Sequence, residues 1–361
     1  MYTLGNVIEA YGYDYDNSAS TNIVQLLDIA GAFEQEYVNC IFNELDIKPE
    51  ATNLIETLQK LKSQTNPTDR AEIICNELIF QDFTTAHNLL IKLSQQLFFN
   101  RSGERWDSSI PSWMNNNANK IMDILQLIGT CQAVQPRNKE YDCVAVFGAT
   151  ANEMNKRIDF AYKLYNNMTI HKGIFLLTGE RYANAKVDTD KAITQAAEHF
   201  NISSSNVTEA HIMEKIYLEQ SEEFSLCMNY KVVNAPKGER PRPNTEDTIY
   251  KFLDEYETVC TSTLFISRSP NTYAQAEATH SVLYNRNSTM GYEVVGGSCS
   301  YDEVPPVYAI YHTLMPMAGA WFGGYSRVEK EVTGMETEVN NSLKFNGQCI
   351  VRSSEKLQKG F

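Results

Sequence analysis

The sequence predicts an α/β fold, a mainly parallel sheet flanked by helices, preceded by an all-helical N-terminal domain. Three observations predict it. Apolar residues recur at helical spacing through the first third, the texture changes at Pro136, and beyond it short apolar runs alternate with amphipathic stretches. The division that follows is a helical domain over 1–135 and an α/β domain over 136–361, in keeping with one domain per roughly 150 residues.

In the first third, Ile23, Leu26, Leu27 and Ala30 mark one helix by their three- and four-residue spacing. The pattern restarts after Pro49 through Leu54, Ile55, Leu58 and Leu61 and stops at Ser63. A longer helical region starts at Pro67, tolerated in a first turn, and runs past Ile73, Ile74, Leu78, Leu89 and Leu93, with a break expected near Asp82 to Thr85. Residues 100–112 read as a polar connection, and Ile121, Leu125 and Ile128 mark a further helix.

After Pro136 the strands are short apolar runs: Tyr141 to Phe147, Gly173 to Leu177, Lys231 to Asn234, Thr263 to Ser267 and Gly291 to Val295. Between them, residues 152–167, 191–199, 209–218, 245–256 and 273–284 have helical periodicity. A strand, helix and strand at this spacing form a βαβ unit, whose strands are parallel. Val307 to Phe322 reads as an apolar helix interrupted by Pro316 and Gly319, and residues 323–361 are polar.

Composition narrows the partners. The 361 residues are 43% hydrophobic and 21% charged, which fills a core and does not resemble a disordered chain. Forty-five acids against 31 bases give a net charge of -14, a field that repels nucleic acid and anionic lipid, so no nucleic-acid partner is expected. The opening residues lack a basic then apolar pattern and no run reaches 18 apolar residues. Neither a signal peptide nor a transmembrane segment is therefore expected, and the expected location is cytoplasmic, with non-classical export as the alternative. Eight cysteines without a CxxC pair read as plain structural thiols of a reducing compartment, with no zinc or disulfide framework. Six histidines show no HExxH spacing, so no metal is expected.

Parallel sheets place ligand loops at the carboxyl ends of their strands, beside the unpaired N–H groups of helix N-termini. The candidate binding residues are those that follow each strand. Gly148 and Asn152 follow the first, with Arg157 on the next helix as a donor to an anionic group or to a partner carboxylate. Thr178 and Gly179 end the second strand, where Glu180-Arg181 reads as a solvated turn or a charged ligand loop. Glu209 stands at a helix start, where it either neutralises first-turn amides or binds a ligand hydroxyl. The stretch Lys237 to Glu246 supplies Arg240 and Arg242 as planar donors, with Asn244, Thr245 and Glu246 at a helix start, Asn244 as its cap. Ser267, Arg268 and Ser269 follow the TLFI strand. No GxGxxG, GxxxxGK[ST] or GxSxG occurs, so no dinucleotide fingerprint, P-loop or serine nucleophile is assigned.

The order of these motifs over Tyr141 to Val295 resembles the bacterial family of unknown function typified by YdcF, SanA and ElyC. The carriers are VFGA, RIDFAYKLY with Arg157, LLTG, TEAHIM with Glu209, RPNTEDT with Asn244 to Glu246, and SPNTYAQA after the late strand. The resemblance implies a Rossmann-like core with a polar pocket at the strand ends, built from Gly148, Arg157, Gly179, Glu209, Asn244, Thr245, Glu246 and Ser269, and S-adenosylmethionine as a ligand seen in the family. It also implies association with the bacterial envelope, often behind a membrane helix. The late motif departs from the family's SPYHMRRA: Thr272 stands at the histidine-like position and Gln275 at an arginine-like one, removing a proton carrier and a fixed charge.

The expected function is binding of, or catalysis on, a nucleotide-like or phosphorylated small molecule, with S-adenosylmethionine or another nucleotide-like cofactor. The alternative is a non-catalytic interaction module with a degenerate pocket, engaging a protein partner through its N-terminal helices.

Overall fold

The computed structural model describes residues 1–11, 18–98, 112–224, 229–239, 242–304 and 308–310. Arg240, Cys227, Cys349, His312, nearly all of the 100–112 connection, the polar end 323–361 and all but 308–310 of the expected late helix lie outside the described residues. The described residues divide into two compact units: Met1–Gln132 with 299–304 and 308–310, and Ala133–Ser298.

The first unit is mostly helical. Its elements are β1 (Tyr2–Thr3), α1 (Leu4–Ala10), α2 (Ser18–Ile29), α3 (Gln35–Glu44), α4 (Leu54–Ser63), α5 (Pro67–Glu77), β2 (Ile79–Phe80), α6 (Phe83–Phe98), α7 (Ser112–Asn116) and α8 (Ala118–Ile128). The periodic apolar residues Ile23, Leu26, Leu27, Leu54, Leu58, Leu61, Leu89, Leu90, Ile121 and Leu125 are buried, which is why these segments are helices with one covered stripe. Asn66 caps α5 by accepting from Thr68 N–H, with Pro67 in the first turn. Arg70 forks onto both carboxylate oxygens of Asp28 at 2.8 Å, tying α5 to α2. The break in the long helical region lies earlier than the expected Asp82 to Thr85, since α6 already begins at Phe83; it contains a short strand in which Ile79 and Phe80 pair antiparallel with Thr3 and Tyr2.

The second unit is a doubly wound parallel sheet. Its strands are β3 (Glu140–Phe147), β4 (Thr169–Gly179), β5 (Tyr230–Ala235), β6 (Ser262–Arg268) and β7 (Gly291–Gly297). They stand in the order β5-β4-β3-β6-β7, and every pair is parallel. The helices are α9 (Ala151–Tyr165), α10 (Ala185–Asp188), α11 (Asp190–Phe200), α12 (Glu209–Glu223), α13 (Thr245–Tyr256) and α14 (Thr272–Asn285). Val144, Val146, Ile174, Leu176, Leu264 and Ile266 pack with Met154, Ile158, Ile212 and Met213 of α9 and α12. The alternate residues Phe175 and Phe265 meet Phe252 of α13 edge-on, at 5.3 and 5.8 Å between ring centres. Strand side chains alternate by two, so these clusters lie on opposite faces of the sheet.

One expectation is corrected. Cys143 and Cys260 form a disulfide, so the cysteines are not all plain thiols. Cys143 lies on β3 and Cys260 just before β6. Parallel pairing sets Cys143 opposite Thr263, which brings two residues 117 apart in sequence within a Cα separation of 5.9 Å. Among the described residues, no helix is long and apolar enough to cross a membrane.

Candidate functional site

The strand order creates a topological switch point between β3 and β6. The chain leaves β3 into α9 on one face of the sheet and leaves β6 into α14 on the other, so the two following loops diverge at the carboxyl edge. In open α/β sheets ligands bind at such a point. Gly148, Ala149 and Thr150 follow β3, and Ser269, cis-Pro270 and Asn271 follow β6.

The helix starts in this unit differ in one respect. Asn184, Thr189, Thr208 and Asn244 cap α10, α11, α12 and α13 with side-chain oxygens. Thr150 and Asn271, at the starts of α9 and α14, make no such side-chain bond. The two helices that begin at the switch point therefore have first-turn N–H groups not covered by a cap side chain, a polarity that favours an anion.

One ion pair joins the two diverging loops. Arg268, the last residue of β6, donates from Nη1 to Glu153 Oε1 at 2.6 Å, and Glu153 lies in the first turn of α9. Arg268 is buried, while the Glu153 side chain is 21% exposed. The loop behind Arg268 is fixed by packing and hydrogen bonds. Ser267 Oγ donates to Gln275 Oε1, Ser269 N–H donates to Gly297 O at 3.0 Å, and Ser269 Oγ lies 3.4 Å from Thr272 Oγ1. A Cβ at residue 296 would overlap Thr272 Oγ1 and sit 3.2 Å from the Arg268 backbone. Thr272 and Gln275 are thus buried parts of this loop's support.

The edge beside β4 holds a buried charge network. Arg181 Nε donates to Glu209 Oε2 at 2.8 Å, and its Nη1 and Nη2 donate to Asp188 at 2.6 and 3.1 Å. Nη2 also donates to Ala149 O at 3.2 Å, so the β4 loop supports the β3 loop. Glu209 Oε1 accepts from Gly179 N–H at 3.4 Å and fills the space beside Gly148. Burial raises the Glu209 carboxyl above the usual carboxylate range, against the opposing pull of Arg181 and the Gly179 N–H. Two carboxyl groups thus share the one guanidinium of Arg181.

The other expected residues have structural places. Arg157 is buried beneath β3 and donates from Nη1 to the carbonyls of Phe147 and Gly148 at 2.9 and 2.8 Å, holding the strand end from below. Asn152 is exposed in the first turn of α9. Thr178 is buried and its hydroxyl donates to Val233 O at 3.3 Å. Asn244 and Asp247 form a reciprocal cap at α13, each side chain accepting from the other's N–H at 2.8 Å. Thr245, Glu246 and Arg242 are half-buried beside that cap, and Pro243 packs against Gly179.

The structure therefore brings together Gly148, Gly179 and Glu209 in one contact, and Ser267, Arg268 and Ser269 in one loop. Sequence reading missed Glu153 and Asp188, and it read Glu180-Arg181 as a turn with two open uses. Arg181 is the buried member, while Glu180 is exposed and accepts from Lys237 N–H at 3.1 Å. Asp188 precedes Thr189 in a segment with no periodicity, and only the short cap residues around it mark a helix start. Among the described residues, no group of three or more His, Cys, Asp or Glu is arranged to hold a metal ion. No family model, no curated protein and no solved structure matches this chain.

Proposed function

We propose that residues 133–298 bind a small nucleotide-like or phosphorylated molecule at the β3–β6 switch point. The observation that carries the reading is the coincidence at that point of two helix starts without side-chain caps and a buried arginine, Arg268, whose Nη1 donates to Glu153 at the start of α9. An incoming phosphoryl or carboxylate group competes with Glu153 for Arg268 and accepts from the first-turn N–H groups of α9. In the same reading the chain is a divergent relative of the YdcF, SanA and ElyC family, and S-adenosylmethionine is the first nucleotide-like ligand to try. Gly148 and Gly179 let Glu209 and Pro243 pack against the strand ends, and Glu209 braces the loops that follow β3 and β4.

Native mass spectrometry of the purified chain, followed by calorimetric titration with S-adenosylmethionine and nucleoside di- and triphosphates, tests this. A retained or titratable ligand of that class supports it. Failure to retain or bind any member of the panel contradicts it.

A second reading, a protein-interaction module, has its own observation. Arg157 and Arg181 direct their donors to carbonyls and carboxylates of the protein itself, and Gln275 is held by Ser267, as expected of a pocket turned to structural use. Ile55 of α4 and Leu127 of α8 are 65% and 71% exposed on the N-terminal unit. Partner capture that is lost on Ile55→Glu and Leu127→Glu but unchanged by Arg268→Gln favours this reading; the opposite pattern favours the first.

A further inference from the structure

The chain crosses from the first unit to the second after Gln132 and returns at Cys299. Cys131 and Cys299, one residue from the outgoing crossing and at the returning one, are joined through their backbones. Cys299 N–H donates to Cys131 O at 3.0 Å. The phenol of Tyr301, two residues on, donates to Leu125 O at 2.9 Å and accepts from Cys131 N–H at 3.4 Å, fixing the returning chain against the end of α8. The left-handed Gly129, φ 77°, ends α8 and turns the chain towards this position. Burial pushes the Tyr301 phenol up to about 12, and both thiols add to the shift, as groups close to the same hydroxyl do. By covalent geometry a 3.0 Å N···O bond keeps the two Cα atoms within about 7 Å of each other, at the upper end of the range a disulfide spans.

We propose that Cys131 and Cys299 form a second, reversible disulfide that clasps the outgoing and returning chain where residues 133–298 begin and end. Both carry thiols in the structure. The same chain carries the Cys143–Cys260 disulfide, so its folding involves a thiol oxidant. Cys131 is buried and Cys299 half-buried, which makes Cys299 the entry point. The Cys299 thiolate attacks one sulfur of a small disulfide oxidant of the oxidised-glutathione type, and one thiol leaves. Cys131 then gives its proton to solvent, its sulfur attacks that of Cys299, and the second thiol leaves. Two protein thiols become one disulfide as the oxidant's disulfide becomes two thiols. The backbone bond and the Tyr301 contacts favour the second step over release of the mixed disulfide, because they hold the resolving sulfur nearby. Both sulfurs of the Cys143–Cys260 bond belong to fully buried residues, so a mild reductant reaches the Cys131–Cys299 bond first.

The test is independent of any ligand. The full chain is equilibrated with oxidised glutathione, alkylated after denaturation, digested and mapped by mass spectrometry, then re-examined after graded reduction. The expected result is a cross-linked peptide pair containing Cys131 and Cys299, lost at a lower reductant concentration than the Cys143–Cys260 pair. In Cys299→Ser the cross-link is absent and Cys131 becomes fully alkylated. The wild-type map decides the question even where this variant fails to fold. Full alkylation of Cys131 and Cys299 in the oxidised wild-type chain, bonding of either to another cysteine, or survival of their bond beyond that of Cys143–Cys260 overturns the proposal.

Discussion

Gly148 and Glu209 share one space: a Cβ at residue 148 would overlap Glu209 Oε1 and lie 2.7 Å from the Leu177 carbonyl oxygen. The Leu177 oxygen already accepts from Gly148 N–H at 2.6 Å, and Glu209 is held by Arg181, so neither neighbour is a flexible chain end. Gly148→Ala should lower stability by about 1–3 kcal/mol, the usual cost of overpacking. Urea denaturation reads it, and an unchanged midpoint would show that the carboxylate is not held against the strand end.

The Arg181 network predicts a larger loss. Arg181→Met leaves Glu209 and Asp188 buried beside each other without their cation, and the expected destabilisation is about 3–5 kcal/mol. Glu209→Gln should cost less, because Arg181 keeps Asp188. A ranking with Glu209→Gln as the more damaging change would contradict the role given to Arg181.

The same carboxyl predicts a pH dependence. Its folded pKa is raised, so between the ordinary glutamate value of 4.5 and the raised folded value the native state binds the extra proton. The Glu209 contribution therefore favours folding at low pH and is lost as pH rises through the folded value. Subtracting the stability of Glu209→Gln from that of the wild type across this window should give a difference that falls with rising pH. A difference that rises would mean that Arg181 outweighs desolvation.

The Cys143–Cys260 disulfide closes a loop of 117 residues between the two strands that border the switch point. Replacing both cysteines by alanine should lower stability by about 2–5 kcal/mol, read by denaturation without reductant. The wild-type chain in reductant should approach the variant, and a wild type insensitive to reductant would argue against the bond.

Legibility from sequence followed the range of the interactions. The five parallel strands and the longer helices between them are apolar runs and local periodicities, and α13 spans the expected residues, Thr245–Tyr256. Helices α1 and α3 escaped notice: α1 has seven residues and contains Gly5, and α3 buries only Val38, Ile41 and Phe42 among exposed polar residues. The disulfide was hidden because Cys143 meets Cys260 only through the β3–β6 pairing, a fact of strand order that no local pattern encodes. The site was legible in its loops but not in its partners. Arg268 and Glu209 were identifiable as polar residues at element ends, whereas Glu153, 115 residues from Arg268, is identified by the fold alone.

Glu153 supplies a prediction opposite in sign to ordinary site mutations. If a ligand anion competes with its carboxylate for Arg268, Glu153→Gln should tighten binding of that anion, by about tenfold where the displaced pair is worth about 1.4 kcal/mol. Calorimetry on the variant reads this, and weaker binding would make Glu153 a ligand contact instead of a competitor.

The central claim is that the β3–β6 switch point is an anion-binding position centred on Arg268. Its most direct measurement is a calorimetric titration of the wild-type chain and Arg268→Gln with S-adenosylmethionine and nucleoside phosphates, with folding of both checked by circular dichroism. The account predicts saturable one-site binding of at least one ligand by the wild type, weakened about tenfold or more in a folded Arg268→Gln chain. Absence of binding by the wild type across the panel, or equal affinity in the folded variant, would contradict it.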